Sequence, residues 1–263
     1  MQFFNFALTL LLTAALGSSA APVDSTTEST AQPDAAITTL DAPNTTINGV
    51  EISQETIAEL FKLGLKSKGA PIDSTASLAK RQLWTRSDIT AGKCSDIILI
   101  FARGTFEPGN MGWIVGGGFA DELAKREPSR VVVQGVEPYD ASVVGYLIGG
   151  EQKGIDSMAT LIQRAARQCP NGKIVISGYS QGAQVAHKGA AKVPSSIYSQ
   201  IAGAVVFGDP FNGQPFPGTI NKNVKTFCRV GDLICLGIPL PIGVHLEYGA
   251  DAAAAAQWVA NLL

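Results

Sequence analysis

Lys173-Ile174-Val175-Ile176-Ser177-Gly178-Tyr179-Ser180-Gln181-Gly182-Ala183 decides how this chain reads. Ile174 to Ile176 is a short apolar run of the kind that makes a buried strand. The run breaks at Gly178-Tyr179-Ser180-Gln181-Gly182, and the polar and apolar spacing from Gln184 to Lys192 is helical. Strand, sharp turn and helix, with Gly-x-Ser-x-Gly at the turn, form a nucleophile elbow. The serine of such a turn sits in a strained backbone conformation. Neighbours without Cβ let strand and helix pass close together. The pentapeptide alone says little in a glycine-rich chain; its setting between strand and helix gives it weight.

Outward from the elbow, further strand-like runs rich in Ile, Val and Phe occur at 97–102, 131–135, 202–207 and 224–228. Helical patterns fall between them at about 113–126, 150–168 and 181–192, and the Ala-rich tail 252–262 places Trp258, Val259 and Leu262 on one stripe. Strands alternating with helices of this length predict a parallel sheet covered on both faces, a three-layer α/β domain. Gly116-Gly117-Gly118 opens a helix without matching a dinucleotide fingerprint or a P-loop, so close helix packing explains it better than a nucleotide.

Upstream the character changes. Residues 3–16 are apolar but too short to span a membrane, and the small residues Gly17 to Ala21 follow, which predicts a secretory signal over 1–20. No Lys or Arg precedes that run, so the α-amino group alone supplies positive charge there. From Ala21 to about Thr46 the chain is Thr, Ser, Ala, Asp and Pro, too poor in apolar surface to offset its ordering entropy. Asn44-Thr45-Thr46 is a glycosylation sequon. Residues 52–65 look helical, with Ile57, Leu60, Phe61 and Leu65 on one face. A polar stretch then leads to Lys80-Arg81, a dibasic pair resembling a kexin-type processing site. The expected organisation is a signal peptide (1–20), a largely disordered propeptide with one short helix (21–81) and a single α/β domain (82–263).

Four cysteines, Cys94, Cys169, Cys228 and Cys235, in a secreted chain suggest two disulfides. Three pairings exist on paper. If the strands at 97 and 174 are parallel neighbours, Cys94 and Cys169 lie at the same end of the sheet and can meet, leaving Cys228 and Cys235 to close a small loop. Residues 82–263 hold fourteen acids and fifteen bases with no Lys/Arg cluster, which argues against nucleic acid as a partner. Oxidised cysteines and only two histidines give no support to a metal, and no cofactor is expected.

A serine hydroxyl needs a base within hydrogen-bond reach and an acid to orient that base. His187 lies about 10 Å along the elbow helix from Ser180 and cannot reach it; a surface or packed-layer position suits it. His245 remains, in the loop after the last strand, at the sheet edge where the elbow also points. The acid falls between serine and histidine in chain order. Asp232, bracketed by Cys228 and Cys235, is favoured over Asp209, whose setting Gly208-Asp209-Pro210 also reads as a turn. The backbone N–H of Gln181 is placed to stabilise an oxyanion, with Thr105, in the loop after the strand at 97–102, as the second donor.

Ala102-Arg103-Gly104-Thr105, Gly178-Tyr179-Ser180-Gln181-Gly182-Ala183, Cys228-Arg229-Val230-Gly231-Asp232-Leu233-Ile234-Cys235 and His245-Leu246-Glu247-Tyr248-Gly249 resemble, in order, the motifs of fungal cutinases. The similarity covers about 94–263. It implies a small, lidless α/β-hydrolase-like fold around a mainly parallel five-stranded sheet. It also implies the triad Ser180, Asp232 and His245, an oxyanion hole of Thr105 and Gln181, and the disulfides Cys94–Cys169 and Cys228–Cys235. Many family members carry serine at the Thr105 position, and the hydroxyl survives the change. Acetylxylan esterases share the fold and the elbow.

Two apolar stretches, 143–148 and 236–244, would make a greasy slot if they flank the serine. With the motifs, they favour aliphatic esters or polyesters such as cutin over acetylated sugars. A short-chain lipase is a further reading on the same fold. The expectation is thus a secreted, monomeric serine esterase without stable membrane insertion. A non-catalytic binder of waxy surfaces is the alternative of another class, and it predicts a missing triad member.

Overall fold

A strand buried on both faces needs apolar residues at every position, and Ile97–Ala102 supplies six in a row. A computed structural model of the chain describes residues 45–47, 50–67 and 84–263. The expected signal segment 1–20, the sequon residue Asn44 and the Lys80-Arg81 pair lie outside the described residues.

The elements in order are β1 (Thr45–Ile47), β2 (Val50–Ile52), α1 (Gln54–Ser67), β3 (Ile97–Ala102), α2 (Gly116–Arg126), β4 (Val131–Gly135), α3 (Val143–Leu147), α4 (Gln152–Gln168), β5 (Lys173–Tyr179), α5 (Gln181–Ala191), β6 (Ile201–Phe207), β7 (Val224–Phe227) and α6 (Ala252–Leu262), with short 3₁₀ turns between them. β1 and β2 form an antiparallel pair. The other five strands make one sheet in the order β4-β3-β5-β6-β7, every neighbouring pair parallel.

Alternation along the strands sorts side chains to the two faces. Ile98, Ile100, Ile174 and Ile176 pack with Met158, Ile162, Val185 and Ala186 of α4 and α5. Leu99, Phe101, Val175 and Phe207 pack with Phe119 and Leu123 of α2 and Ala255 and Val259 of α6. Three layers result, as the strand and helix alternation predicts. The deepest residues of α6 are Ala252, Ala255, Ala256 and Val259, whereas Trp258 and Leu262 are half-buried. Small side chains there let α6 lie close against α2, and a methyl on Gly118 would sit 3.6 Å from Ala252 Cβ.

Both disulfides form, Cys94–Cys169 and Cys228–Cys235, with Cα separations of 5.6 and 6.1 Å. The first ties the approaches to β3 and β5, which run side by side from Ile97↔Lys173 to Ala102↔Gly178. α1 packs its apolar stripe, Ile57, Phe61 and Leu65, against residues of the α/β domain. Among the described residues no helix is long and apolar enough to cross a membrane.

Candidate active site

β5 ends at Tyr179, and Ser180 turns the chain into α5 with φ 56° and ψ −123°, a conformation that L-residues rarely hold. Two close approaches keep it there. A methyl on Gly178 would collide with the Gly182 carbonyl, and one on Gly182 with the carbonyl of Ala102 at the end of β3. The Ser180 N–H is anchored on Phe207 O at 2.9 Å.

His245, on a 3₁₀ turn between β7 and α6, places Nε2 3.0 Å from Ser180 Oγ. Its Nδ1 lies 2.9 and 3.0 Å from the two oxygens of Asp232. The imidazole fits because position 208 is glycine at φ 52°; a Cβ there would sit 2.7 Å from His245 Cε1. Tyr179 stacks on the imidazole at 5.1 Å between centroids and donates its hydroxyl to His245 O at 2.8 Å. The ring is thus held from below, from one side and through its own backbone.

Asp232 lies in the loop closed by Cys228–Cys235. Its Oδ1 accepts the Ile234 N–H at 3.0 Å, and its Oδ2 accepts the Tyr248 hydroxyl at 2.6 Å. Burial pushes this carboxyl up, but His245, Tyr248 and the Ile234 N–H together outweigh it and hold Asp232 below the usual carboxylate value. Burial and the neighbouring carboxylate push the Tyr248 phenol up, so it stays a donor. Asp209 is elsewhere. It pairs with the buried His187, Oδ2 to Nε2 at 2.9 Å, and that imidazole stacks on Phe216 at 3.8 Å. His187 therefore belongs to a packed layer and takes no part in the Ser180 cluster.

The register Ala102↔Gly178 brings the turn after β3 beside the elbow. The Gln181 side-chain Nε2 donates to Ser142 O at 2.7 Å, a carbonyl that can only accept, and to Thr105 Oγ1 at 2.9 Å. With a lone pair of Thr105 so engaged, its hydroxyl proton is free to point at an oxyanion. The Thr105 turn is itself braced. Buried Glu107 accepts the N–H groups of Gly104, Trp113 and Ile114 at 2.8 to 2.9 Å. Arg103 Nε donates to Glu107 O at 2.7 Å. Burial pushes the Glu107 carboxyl up, opposed by those three N–H groups.

Sequence reasoning passed over Tyr248, Tyr179, Glu107 and the Gln181 side chain. Tyr248 stands three residues after His245 and Tyr179 directly before Ser180, so proximity to the motif residues was the available signal. Among the described residues, no group of three or more His, Cys, Asp or Glu side chains converges as a metal site.

The cutinase family model matches residues 93–263. A cutinase of Coprinopsis cinerea is 39% identical over 205 residues, spanning 78% of this chain and 96% of that protein. One of Monilinia fructicola is 43% identical over 172 residues, spanning 65% of this chain and 85% of the relative. The solved structure of Trichoderma reesei cutinase in complex with a C11Y4 phosphonate inhibitor is similar at TM-score 0.61 and 35% identity, over 78% of this chain and 98% of that one. An acetylxylan esterase structure, 20% identical with TM-score 0.51, over 64% of this chain and 99% of that one, shares the fold alone. With a match over most of its length and relatives at this identity, the chain belongs to the cutinase family of carboxylic-ester hydrolases.

Proposed function

We propose that the protein is a secreted serine esterase that cleaves cutin or related aliphatic polyesters, and short-to-medium acyl esters, through an acyl-enzyme on Ser180. The observation that carries this reading is the position of His245, 3.0 Å from the hydroxyl on one side and 2.9 Å from the Asp232 carboxylate on the other. His245 takes the Ser180 proton as Oγ attacks the ester carbonyl. The oxyanion forms between the Gln181 N–H and Thr105. His245 then returns the proton to the departing alcohol. A water molecule, deprotonated by the same imidazole, releases the acid and restores Ser180.

Exposed apolar side chains support a greasy, insoluble substrate: Ile148 is 51% and Leu236 70% exposed, one from each of the two apolar stretches 143–148 and 236–244. Secretion and removal of the segment ending at Arg81 complete the reading. They accord with the apolar N-terminal run, the dibasic pair and the two disulfides.

A fluorophosphonate should label Ser180 in the native protein, and Ser180→Ala should lose all esterase turnover while unfolding cooperatively as before. Retained turnover in that variant sinks the proposal, and absence of labelling favours a non-catalytic binder. Relative rates on a butyrate ester, cutin and acetylated xylan assign the substrate. Mass spectrometry of the secreted protein should find Gln82 at the N-terminus; an N-terminus near residue 21 refutes the processing step.

A further inference from the structure

Helix α1 lies upstream of the region that the cutinase model matches, yet it is packed into the domain. Ser53 starts it, accepting the Thr56 N–H on its hydroxyl at 3.2 Å. Ile57, Phe61 and Leu65, spaced four residues apart, form one buried stripe, while Glu55, Glu59, Lys62 and Lys66 stay exposed. An amphipathic helix of this kind needs an apolar groove to occupy.

The groove it occupies is the mouth of the site. The Phe61 ring meets Tyr146 of α3 edge-on at 5.4 Å and Phe106, the residue after Thr105, at 6.4 Å. Ile57 and Phe61 share one buried cluster with Tyr146 and with Ile234, two residues past Asp232. At the other end of the helix, Leu65 joins the cluster that holds Leu246, the neighbour of His245. A methyl on Gly64 would lie 2.9 Å from Leu246 Cδ1 and 3.3 Å from Pro241 O. α1 thus touches both apolar stretches that flank Ser180. With α1 in place, Ser180 is 1% exposed and His245 fully buried. The apolar surface beside Thr105, Asp232 and His245 that an acyl chain would use is thus already taken by side chains of like chemistry.

We infer that α1 is an intramolecular occupant of the acyl-binding groove, closing the site until the chain between α1 and the domain is cut. This rests on the esterase reading of Ser180. Attachment through residues 68–83 keeps the helix at an effective concentration on the order of millimolar, and severing the tether removes that advantage at a stroke. A modest docking affinity therefore suffices to hold the intact chain closed and to release the helix after cleavage.

Two measurements on the full chain test the inference, with Lys80→Gln and Arg81→Gln present so that α1 stays attached. In the first, adding Ile57→Asp and Phe61→Asp should raise both kcat/KM on a soluble butyrate ester and the rate of fluorophosphonate labelling by roughly ten-fold or more, the factor that about 1.4 kcal/mol of docking would impose. Equal labelling rates with and without the aspartates overturn the inference. The second measurement leaves α1 unaltered. Ser180 is modified with either a methyl or a long-alkyl phosphonate, and amide exchange is followed over 54–67. The long chain should displace α1 and abolish its protection, and the methyl group should leave it protected; equal protection with both adducts overturns the inference. Absence of Ser180 labelling in every chain removes the esterase reading itself, a result distinct from either of these.

Discussion

Tyr248 gives its hydroxyl proton to Asp232 at 2.6 Å while accepting the Arg229 N–H at 3.0 Å. The phenol therefore holds the same carboxylate oxygen, Oδ2, that lies 2.9 Å from His245 Nδ1, and its own position is fixed by the backbone of the disulfide loop. A misaimed imidazole loses much of its value as a base, so the grip of Tyr248 on the acid reaches Ser180 through His245.

Tyr248→Phe should lower kcat about three- to ten-fold with little change in KM, as expected for loss of one hydrogen bond to a charged group. The same variant should move acid unfolding. The folded state holds Asp232 below its ordinary value, so this carboxylate contributes stability that is full above the unfolded pKa and lost as pH falls through the folded one. Removing a donor that lowers the folded value brings that loss on at higher pH. Acid titration followed by circular dichroism checks the direction; an unmoved midpoint means the phenol does not tune the acid.

The two candidate carboxylates should separate cleanly by substitution. Asp232→Asn, which keeps the shape and loses the charge facing His245, should reduce kcat by about 10⁴. Asp209→Asn removes the charge from the buried pairing with His187, and should cost about 1–3 kcal/mol of stability while leaving kcat of the folded enzyme unchanged. Steady-state rates paired with urea unfolding decide between them, and a large kcat loss in Asp209→Asn would reverse the assignment.

Thr105 should behave as a donor to the transition state. Thr105→Val, nearly isosteric but without the hydroxyl, should cost about 10²–10³ in kcat with KM little changed. Thr105→Ser should retain most of the rate, because the Gln181 amide can orient a serine hydroxyl equally well. Similar losses in both variants would indicate packing as the role of this residue.

Ser180 carries backbone strain independent of its chemistry, with φ 56° on a residue that has a Cβ. Ser180→Gly and Ser180→Ala should both abolish turnover, but glycine relieves the strain and alanine does not. The glycine variant should therefore be the more stable by about 1 kcal/mol, within the range such outliers cost. Equal denaturation midpoints would show that the turn is unstrained.

Most of the sheet could be read from the sequence because its inner strands are buried on both faces and print as apolar runs; β3, β4 and β6 stand where those runs stand, whereas the edge strand β7, Val224-Lys225-Thr226-Phe227, is only half-buried. Element edges were harder. α2 begins at Gly116 rather than near 113, its first turn closed by the Phe119 N–H on Val115 O, while the Trp113 and Ile114 N–H groups ahead of it go to Glu107, a contact that no helical periodicity encodes. Ser180, His245 and Asp232 were legible because the elbow is local and only two histidines compete for the base. Tyr179 and Tyr248 stand beside motif residues in the chain, but their hydrogen bonds to His245 O and Asp232 cross 66 and 16 residues, and the three N–H groups that Glu107 gathers follow no periodic spacing, so the coordinates reveal these partners. The apolar stripe of α1 was visible from its spacing, but a stripe does not name the groove it fills.

The bridge between Cys94 and Cys169 joins β3 and β5 at one end, and the Thr105 turn and Ser180 stand at the other. The molecule therefore has a rear and a front. Lys173 lies exposed at the rear, where β5 begins. Coupling the protein to a solid support through that lysine would leave the mouth facing outward, toward any film or particle brought against it.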